Sequence, residues 1–178
     1  MEELINLSKK ICMLGSFGVG KTSLVRRFVY NKFDEKYLST IGVQISQKQI
    51  RLLHSRRGKE VLLRMILWDI AHIEKINDVI KNYFRGSHGA IIVCDITRAQ
   101  TFTELELFLK PYLQMNPTSK LAFVANKIDL VDVDRSNLEQ LLLIEKLYKT
   151  KFIYTSNKTG ENVEELFLKL GKSIIEAD

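Results

Sequence analysis

The stretch Gly15-Ser-Phe-Gly-Val-Gly-Lys-Thr22 constrains this chain more than any other. It follows a short apolar run, Lys10-Ile-Cys-Met-Leu14, that reads as a β-strand. It precedes a segment in which Leu24, Val25, Phe28 and Val29 recur at helical spacing. Gly15, Gly18 and Gly20 let the backbone curl until successive N–H groups point inward, and the helix N-terminus adds partial positive charge. The spacing G-x-x-x-x-G-K-[ST] between a strand and a helix is that of a phosphate-binding loop. Lys21 can reach the β- and γ-phosphates of a nucleoside triphosphate, and the Thr22 hydroxyl can bind Mg²⁺. Ser16, Phe17, Val19 and Ser23 complete the expected nucleotide contacts of this stretch.

Strand-like and helix-like segments alternate along the rest of the chain, the pattern of a parallel α/β sheet with helices on both faces. Val43 to Leu53 and Val61 to Trp68 are β-rich runs separated by the turn-forming His54-Ser-Arg-Arg-Gly-Lys59, an antiparallel hairpin. Further strands are expected at Ala90 to Asp95, Leu121 to Ala125 and Phe152 to Thr155, with helices after the phosphate loop and near 75–84, 101–114, 134–148 and 161–175. The expected architecture is a three-layer P-loop fold: a six-stranded, mostly parallel sheet with one antiparallel edge strand, and five helices. Thr101-Phe-Thr-Glu104 has capping-box form, Pro111 should kink or shorten its helix, and Val163, Leu166, Phe167, Leu170 and Ile174 form a core-facing stripe.

A length of 178 residues suits one domain spanning 1–178, and 46% hydrophobic with 27% charged residues is an ordinary globular composition. The longest apolar stretches are strand-sized, far short of the roughly 20 residues of a membrane span. Met1-Glu-Glu-Leu-Ile lacks the features of a secretory signal, so the chain reads as cytoplasmic. Cys12 and Cys94 lie in apolar strands and are expected as buried thiols. Lys plus Arg exceed Asp plus Glu, 27 against 21, with part of the excess at Arg51, Arg56, Arg57, Lys59 and Arg64. Such charges more often solvate a hairpin than bind nucleic acid, and no nucleic-acid partner is expected. His54 and His88 read as surface or structural residues.

Asn126-Lys-Ile-Asp129 follows a strand, at the carboxyl end where open α/β sheets place ligands. The paired oxygens of Asp129 match the adjacent N1–H and N2–H₂ donors of guanine, whereas adenine would leave them unpaired. Thr155-Ser-Asn-Lys158 ends the next strand and brings a second loop beside the first.

With these motifs in place the chain resembles the Ras superfamily of small GTPases, most closely its Rab branch, over nearly all of residues 8 to 176. The resemblance rests on Gly15–Thr22, Tyr37-Leu-Ser-Thr-Ile-Gly42, Trp68-Asp-Ile-Ala71, Asn126–Asp129, and Thr155–Lys158 followed by Thr159-Gly-Glu-Asn-Val-Glu-Glu-Leu-Phe167. It implies GTP or GDP with Mg²⁺ as ligands and GTP hydrolysis as the activity. It also implies that Phe33 flanks the guanine, Tyr37 lies in the nucleotide-contacting loop and Thr40 coordinates Mg²⁺ once a γ-phosphate is present. Asp69 would hold the metal through water, Lys127 would lie along the base, and the backbone of Ser156, Asn157 and Lys158 would seal it. Loops 33–41 and 69–81 would be the switches that meet effectors and regulators.

The chain departs from the family where hydrolysis is decided. The pattern D-x-x-G-Q is here Asp69-Ile-Ala-His72-Ile73, and Ile73 has no polar atom with which to position the attacking water. His72 keeps the backbone N–H but adds an imidazole that could orient water, a role less expected than that of an exposed loop histidine. Phe17 replaces a usually small residue and crowds the approach of an arginine finger. Slow hydrolysis is therefore expected, and the alternative is a GTP-binding adaptor with no turnover. ATP-driven enzymes are disfavoured by Asp129. The chain as given ends at Ile174-Ile-Glu-Ala-Asp178 without the family's prenylation cysteines, so no stable lipid anchor is expected, and a monomer is.

Overall fold

The computed structural model describes residues 4–34, 42–70, 78–130 and 135–177. Strand β1 (Ile5–Leu14) leads through the glycine loop into α1 (Lys21–Tyr30). Strands β2 (Val43–His54) and β3 (Lys59–Ile70) form the antiparallel hairpin, closed by Ser55–Gly58 with Gly58 at a φ of 59°. Next come α2 (Asp78–Phe84), β4 (Gly89–Asp95), α3 (Gln100–Thr103), α4 (Leu105–Met115) and β5 (Lys120–Asn126). The chain ends with a 3₁₀ turn (Ile128–Leu130), α5 (Arg135–Tyr148), β6 (Phe152–Thr155) and α6 (Val163–Ile175).

The six strands lie in the order β2-β3-β1-β4-β5-β6, all pairs parallel except β2 with β3, so the antiparallel strand is at the edge as expected. The five expected helical segments are present, the third in two pieces. Its break falls at Glu104, where the Leu107 N–H bonds back only three residues to the Glu104 carbonyl, and α4 then runs through Pro111 to Met115. The interruption thus precedes the proline, which does not shorten the helix. The capping box is also corrected, because Thr101 lies inside α3. Its hydroxyl accepts the Asp95 N–H at 3.0 Å and donates to the Arg98 carbonyl at 2.8 Å, so it anchors β4 rather than starting a helix.

Pleat alternation divides the core in two. Ile11, Met13, Leu63, Met65, Leu67, Ile91, Val93 and Val124 face α1 and α6. Cys12, Leu14, Ile92, Cys94, Phe123 and Ala125 face the opposite layer with Phe84, Phe108 and Tyr112. Phe28 of α1 stacks on Phe167 of α6 at 3.7 Å between ring centroids. Both cysteines are buried and unbridged, and burial pushes the Cys12 thiol up to about 11. The expected hairpin cations, Arg51, Arg56, Arg57, Lys59 and Arg64, are exposed, whereas His54 is buried and its Nδ1 faces Glu176 at 3.9 Å. No described helix is long and apolar enough to cross a membrane.

The stripe on α6 is buried as expected, together with Gly171 and Ile175, which the periodicity did not single out. Gly171 lies close against the sheet: a Cβ there would sit 3.1 Å from the methyl groups of Ile50, Leu52 and Leu63. Gly171→Leu is expected to cost about 1–3 kcal/mol through overpacking, read as a lowered urea midpoint with an unchanged slope.

Candidate functional site

The same two-residue period that builds the core also builds the site. On β3 the inward residues Val61, Leu63, Met65 and Leu67 are followed in register by Asp69, so the acid emerges on the α1 side at the strand's carboxyl end. On β4 the sequence Ile91, Val93 leads likewise to Asp95. On β5 Ala122, Val124 lead to Asn126, and on β6 Ile153 leads to Thr155. Asp69, Asp95, Asn126 and Thr155 are all buried, and they form a polar row along one edge of the sheet with the glycine loop rising between them.

Two glycines of that loop are required by space. Gly15 has a φ of 138° and a Cβ would lie 2.2 Å from the Val93 carbonyl oxygen. Gly20, at a φ of 101°, would place a Cβ 2.4 Å from the Asn126 amide nitrogen. The loop is held from outside by the base-side loops. Asn126 Nδ2 donates to the Val19 carbonyl at 2.9 Å, and Asn157 Nδ2 to the Gly20 carbonyl at 3.0 Å. Engaging these carbonyls on one side leaves the loop's N–H groups to turn to the other.

At the start of α1 the Lys21 ammonium donates to the carbonyls of Gly15 at 2.7 Å and Ser16 at 3.1 Å. Burial holds it down to about 8, with Asp69 pulling the other way. Thr22 Oγ1 donates to Asp69 Oδ2 at 2.6 Å, which leaves Asp69 Oδ1 buried and without a hydrogen-bond partner. Burial raises the Asp69 carboxyl, and the Thr22 hydrogen bond and the Lys21 charge oppose that rise. An orphaned carboxylate oxygen beside a threonine hydroxyl is a donor set that suits a hard, oxygen-seeking cation such as Mg²⁺.

On the base side, Ser156 Oγ donates to Asp129 Oδ1 at 2.6 Å and Thr155 Oγ1 to Asn126 Oδ1 at 3.1 Å. Asp129 is exposed, and with several lone-pair sites it retains the capacity to accept two further donors. Phe33 is half-buried after α1, and Phe17 is 49% exposed at the loop's crest. Ser23 lies half-buried in the first turn of α1, and Lys158 is exposed beyond Asn157. Tyr37, Thr40, His72 and Ile73 lie outside the described residues.

Sequence reasoning missed a group of charges around Asp95. This carboxylate accepts Lys127 Nζ at 2.6 Å and Arg98 Nε at 3.0 Å on Oδ2, and the N–H and hydroxyl of Thr97 on Oδ1. Burial alone would raise it, but Lys127 and Thr97 win and hold it below the usual carboxylate range. Arg98 in turn donates from Nη2 to the Phe17 carbonyl at 2.8 Å, while Glu104 accepts the Ser16 hydroxyl. Asp95 therefore joins the base-side loop to the crest of the phosphate loop. The signal was available: an acid that ends an apolar strand, as Asp69 does. Arg27 was missed too. From α1 it donates to the carbonyls of Asn157 at 2.8 Å and Lys158 at 2.6 Å.

A glycine cradle, a buried lysine and an acid–threonine pair at the carboxyl edge of a parallel sheet define a P-loop nucleotide-binding domain. The Ras family model matches residues 10–176. The chain is 35% identical over 170 residues to the dog Ras-related protein Rab-22A, covering 95% of this chain and 84% of that one. It is 34% identical to Rab-32C of Dictyostelium discoideum (96% and 75% covered) and 35% identical to human Rab-12 (93% and 66% covered). The chain belongs to the Ras family of small GTPases, on its Rab branch. Guanine-nucleotide binding and GTPase chemistry are general to that family.

Two outcomes follow from this geometry. Lys21 has a folded value near 8 against 10.5 in the unfolded chain, so the unfolded state binds more protons between these values and stability rises with pH across that window. In protein stripped of nucleotide, the stability difference between the native chain and Lys21→Met should rise by about 3 kcal/mol at most from pH 8 to 10.5, followed by urea unfolding. Asp95→Asn should release a fluorescent guanine nucleotide about tenfold faster in stopped-flow, because a charge-assisted anchor is lost from two loops at once.

Proposed function

We propose that this chain is a guanine-nucleotide switch of the Rab type that binds GTP or GDP with Mg²⁺, signals through loops 33–41 and 69–81, and hydrolyses GTP slowly. The observation that carries the reading is the joint placement of two clamps. The phosphate loop is held by Asn126 and Asn157 from the loops whose Asp129 and Ser156 form the base hook. Gripping the tail and reading the base are tasks of one connected structure, and the Asp129 fork favours guanine over adenine.

Thr22 and Asp69 would hold the metal, with Thr40 joining through the family resemblance. The orphaned Asp69 Oδ1 is the acceptor that supports this. A Mg²⁺ held by these residues would supply positive charge against the phosphates. Lys21, whose ammonium rests on loop carbonyls, supplies a positive charge already inside the cradle. By the family resemblance Ser156, Asn157 and Lys158 would close over the base beside Lys127, Phe33 would flank it, and Tyr37 belongs to the nucleotide-contacting loop. The loop residues Gly15, Ser16, Phe17, Gly18, Val19, Gly20 and Ser23 line its phosphates.

Slow turnover is supported by composition at the γ-phosphate. Ile73 cannot hydrogen-bond to water, and Phe17 presents a half-exposed ring where an incoming arginine would pass. The retained Thr40 favours a γ-phosphate-sensing switch over an adaptor that holds nucleotide without turnover. The protein acts as a monomer in this reading.

Denaturing the purified protein should release GTP, and recovery of adenine nucleotide alone would sink the proposal. Single-turnover hydrolysis should fall below the order of 10⁻⁴ per second of unassisted Ras. Ile73→Gln together with Phe17→Gly should speed it at least about tenfold, and His72→Ala should leave it unchanged.

A further inference from the structure

From outside the phosphate loop three side chains hold its carbonyls, and one of them stands outside every sequence motif. Asn126 takes the Val19 carbonyl and Asn157 the Gly20 carbonyl, each from a loop that follows a strand. Arg98, in the loop after β4, donates from Nη2 to the Phe17 carbonyl at 2.8 Å. In a trans peptide the C=O and the next N–H point in opposite directions, and no described peptide is cis. Each of these hydrogen bonds therefore also aims a donor. Asn126 aims the N–H of Gly20, Asn157 that of Lys21, and Arg98 that of Gly18. Inward-facing N–H groups are what such a loop offers to nucleotide phosphates.

The surroundings of Arg98 are built for this task. Among the described residues, and leaving aside its chain neighbours, only the Arg98 guanidinium lies within 4 Å of a Cβ added to Gly18, at 3.7 Å. Its other end is fixed, since Nε donates to Asp95 Oδ2 at 3.0 Å. A planar guanidinium holds two acceptors at a set spacing, which the single nitrogen of a lysine cannot do. Asp95 does not need Arg98 for its own sake, because Lys127 at 2.6 Å and both donors of Thr97 already satisfy it. The same segment grips the neighbouring loop residue. Glu104 accepts the Ser16 hydroxyl on Oε2 and the Gln100 amide at 2.6 Å on Oε1, and the break between α3 and α4 falls at Glu104. Packing supplies little of this order at the crest, where Phe17 is 49% exposed.

We propose that Arg98 is a positioning residue for guanine-nucleotide binding: it fixes the Phe17–Gly18 peptide so that the Gly18 N–H faces the phosphate site before nucleotide arrives. The inference rests on the guanine-nucleotide reading above. Arg98 acts through the backbone, with Nε and Nη2 both committed to protein acceptors. A donor already in place need not be ordered during binding, and that saving appears as slower release.

The test uses the whole chain with GDP and Mg²⁺, its glycines isotopically labelled, and compares native protein with Arg98→Ala and Arg98→Lys. The Arg98 side chain is 44% exposed and Lys127 stays on Asp95, so neither variant strands a buried charge, and equal thermal melts check the fold. In stopped-flow each variant should release a fluorescent GDP at least about tenfold faster than native, the lysine included, because it restores charge without the fork. In amide spectra of the GDP-bound protein the Gly18 resonance should move in both variants, while that of Gly20, aimed by Asn126, stays in place. Arg98→Lys carries the test if the alanine variant melts early. Release within about threefold of native in Arg98→Lys, which would mean that a nearby charge suffices, overturns the proposal. So does a Gly18 resonance that stays, or one that moves together with Gly20, which would make Arg98 a general brace. A native chain that binds no guanine nucleotide overturns the underlying reading and this proposal with it, whereas native binding with unchanged variants overturns this proposal alone.

Discussion

The alternation of the strands is the constraint on which the rest depends. A β-strand sends successive side chains to opposite faces, so a strand whose inward residues fill the core has no freedom over where its last residue points. Four strands of this sheet end in register on the α1 side, and each contributes a polar residue there: Asp69, Asp95, Asn126 and Thr155. Slipping any of them by one position would bury a polar group in the opposite layer and expose a core residue at the site. Packing and site assembly are consequently one specification, written twice in the same residues.

Burial of that row gives it its electrostatic character. Asp69 and Lys21 are both pushed toward neutrality by desolvation, and each restrains the other. Asp95 stands in the same row but goes the opposite way, since the donors of Lys127 and Thr97 outweigh its burial. One buried acid keeps an unpartnered oxygen and the other is saturated. The first has what a metal site needs, and the second what a structural brace needs.

Much of this was legible in the sequence because it is written in local code. The glycine spacing, the hairpin turn and the strand periodicity placed all six strands, and the family resemblance pointed to Asp69. The shortfalls came where tertiary contacts overrule local pattern. Thr101 and Glu104 have the spacing of a cap, but the hydroxyl bonds to β4 and the carboxylate to Ser16. Gly171 carries no periodic signal because its role is to leave room for Ile50, Leu52 and Leu63. Arg98 and Arg27 are unremarkable as letters, and their partners, the carbonyls of Phe17, Asn157 and Lys158, are backbone atoms that no residue pattern encodes.

Arg27 gives α1 a second occupation. At its first residue the helix carries Lys21, and two turns on Arg27 grips the backbone of Asn157 and Lys158. About 10 Å of stiff helix thus separates the two grips. A stiff helix of that length moves as one body, so the two sets of contacts share one orientation. The glycine loop and the Asn157–Lys158 backbone are thus tied to one rigid element.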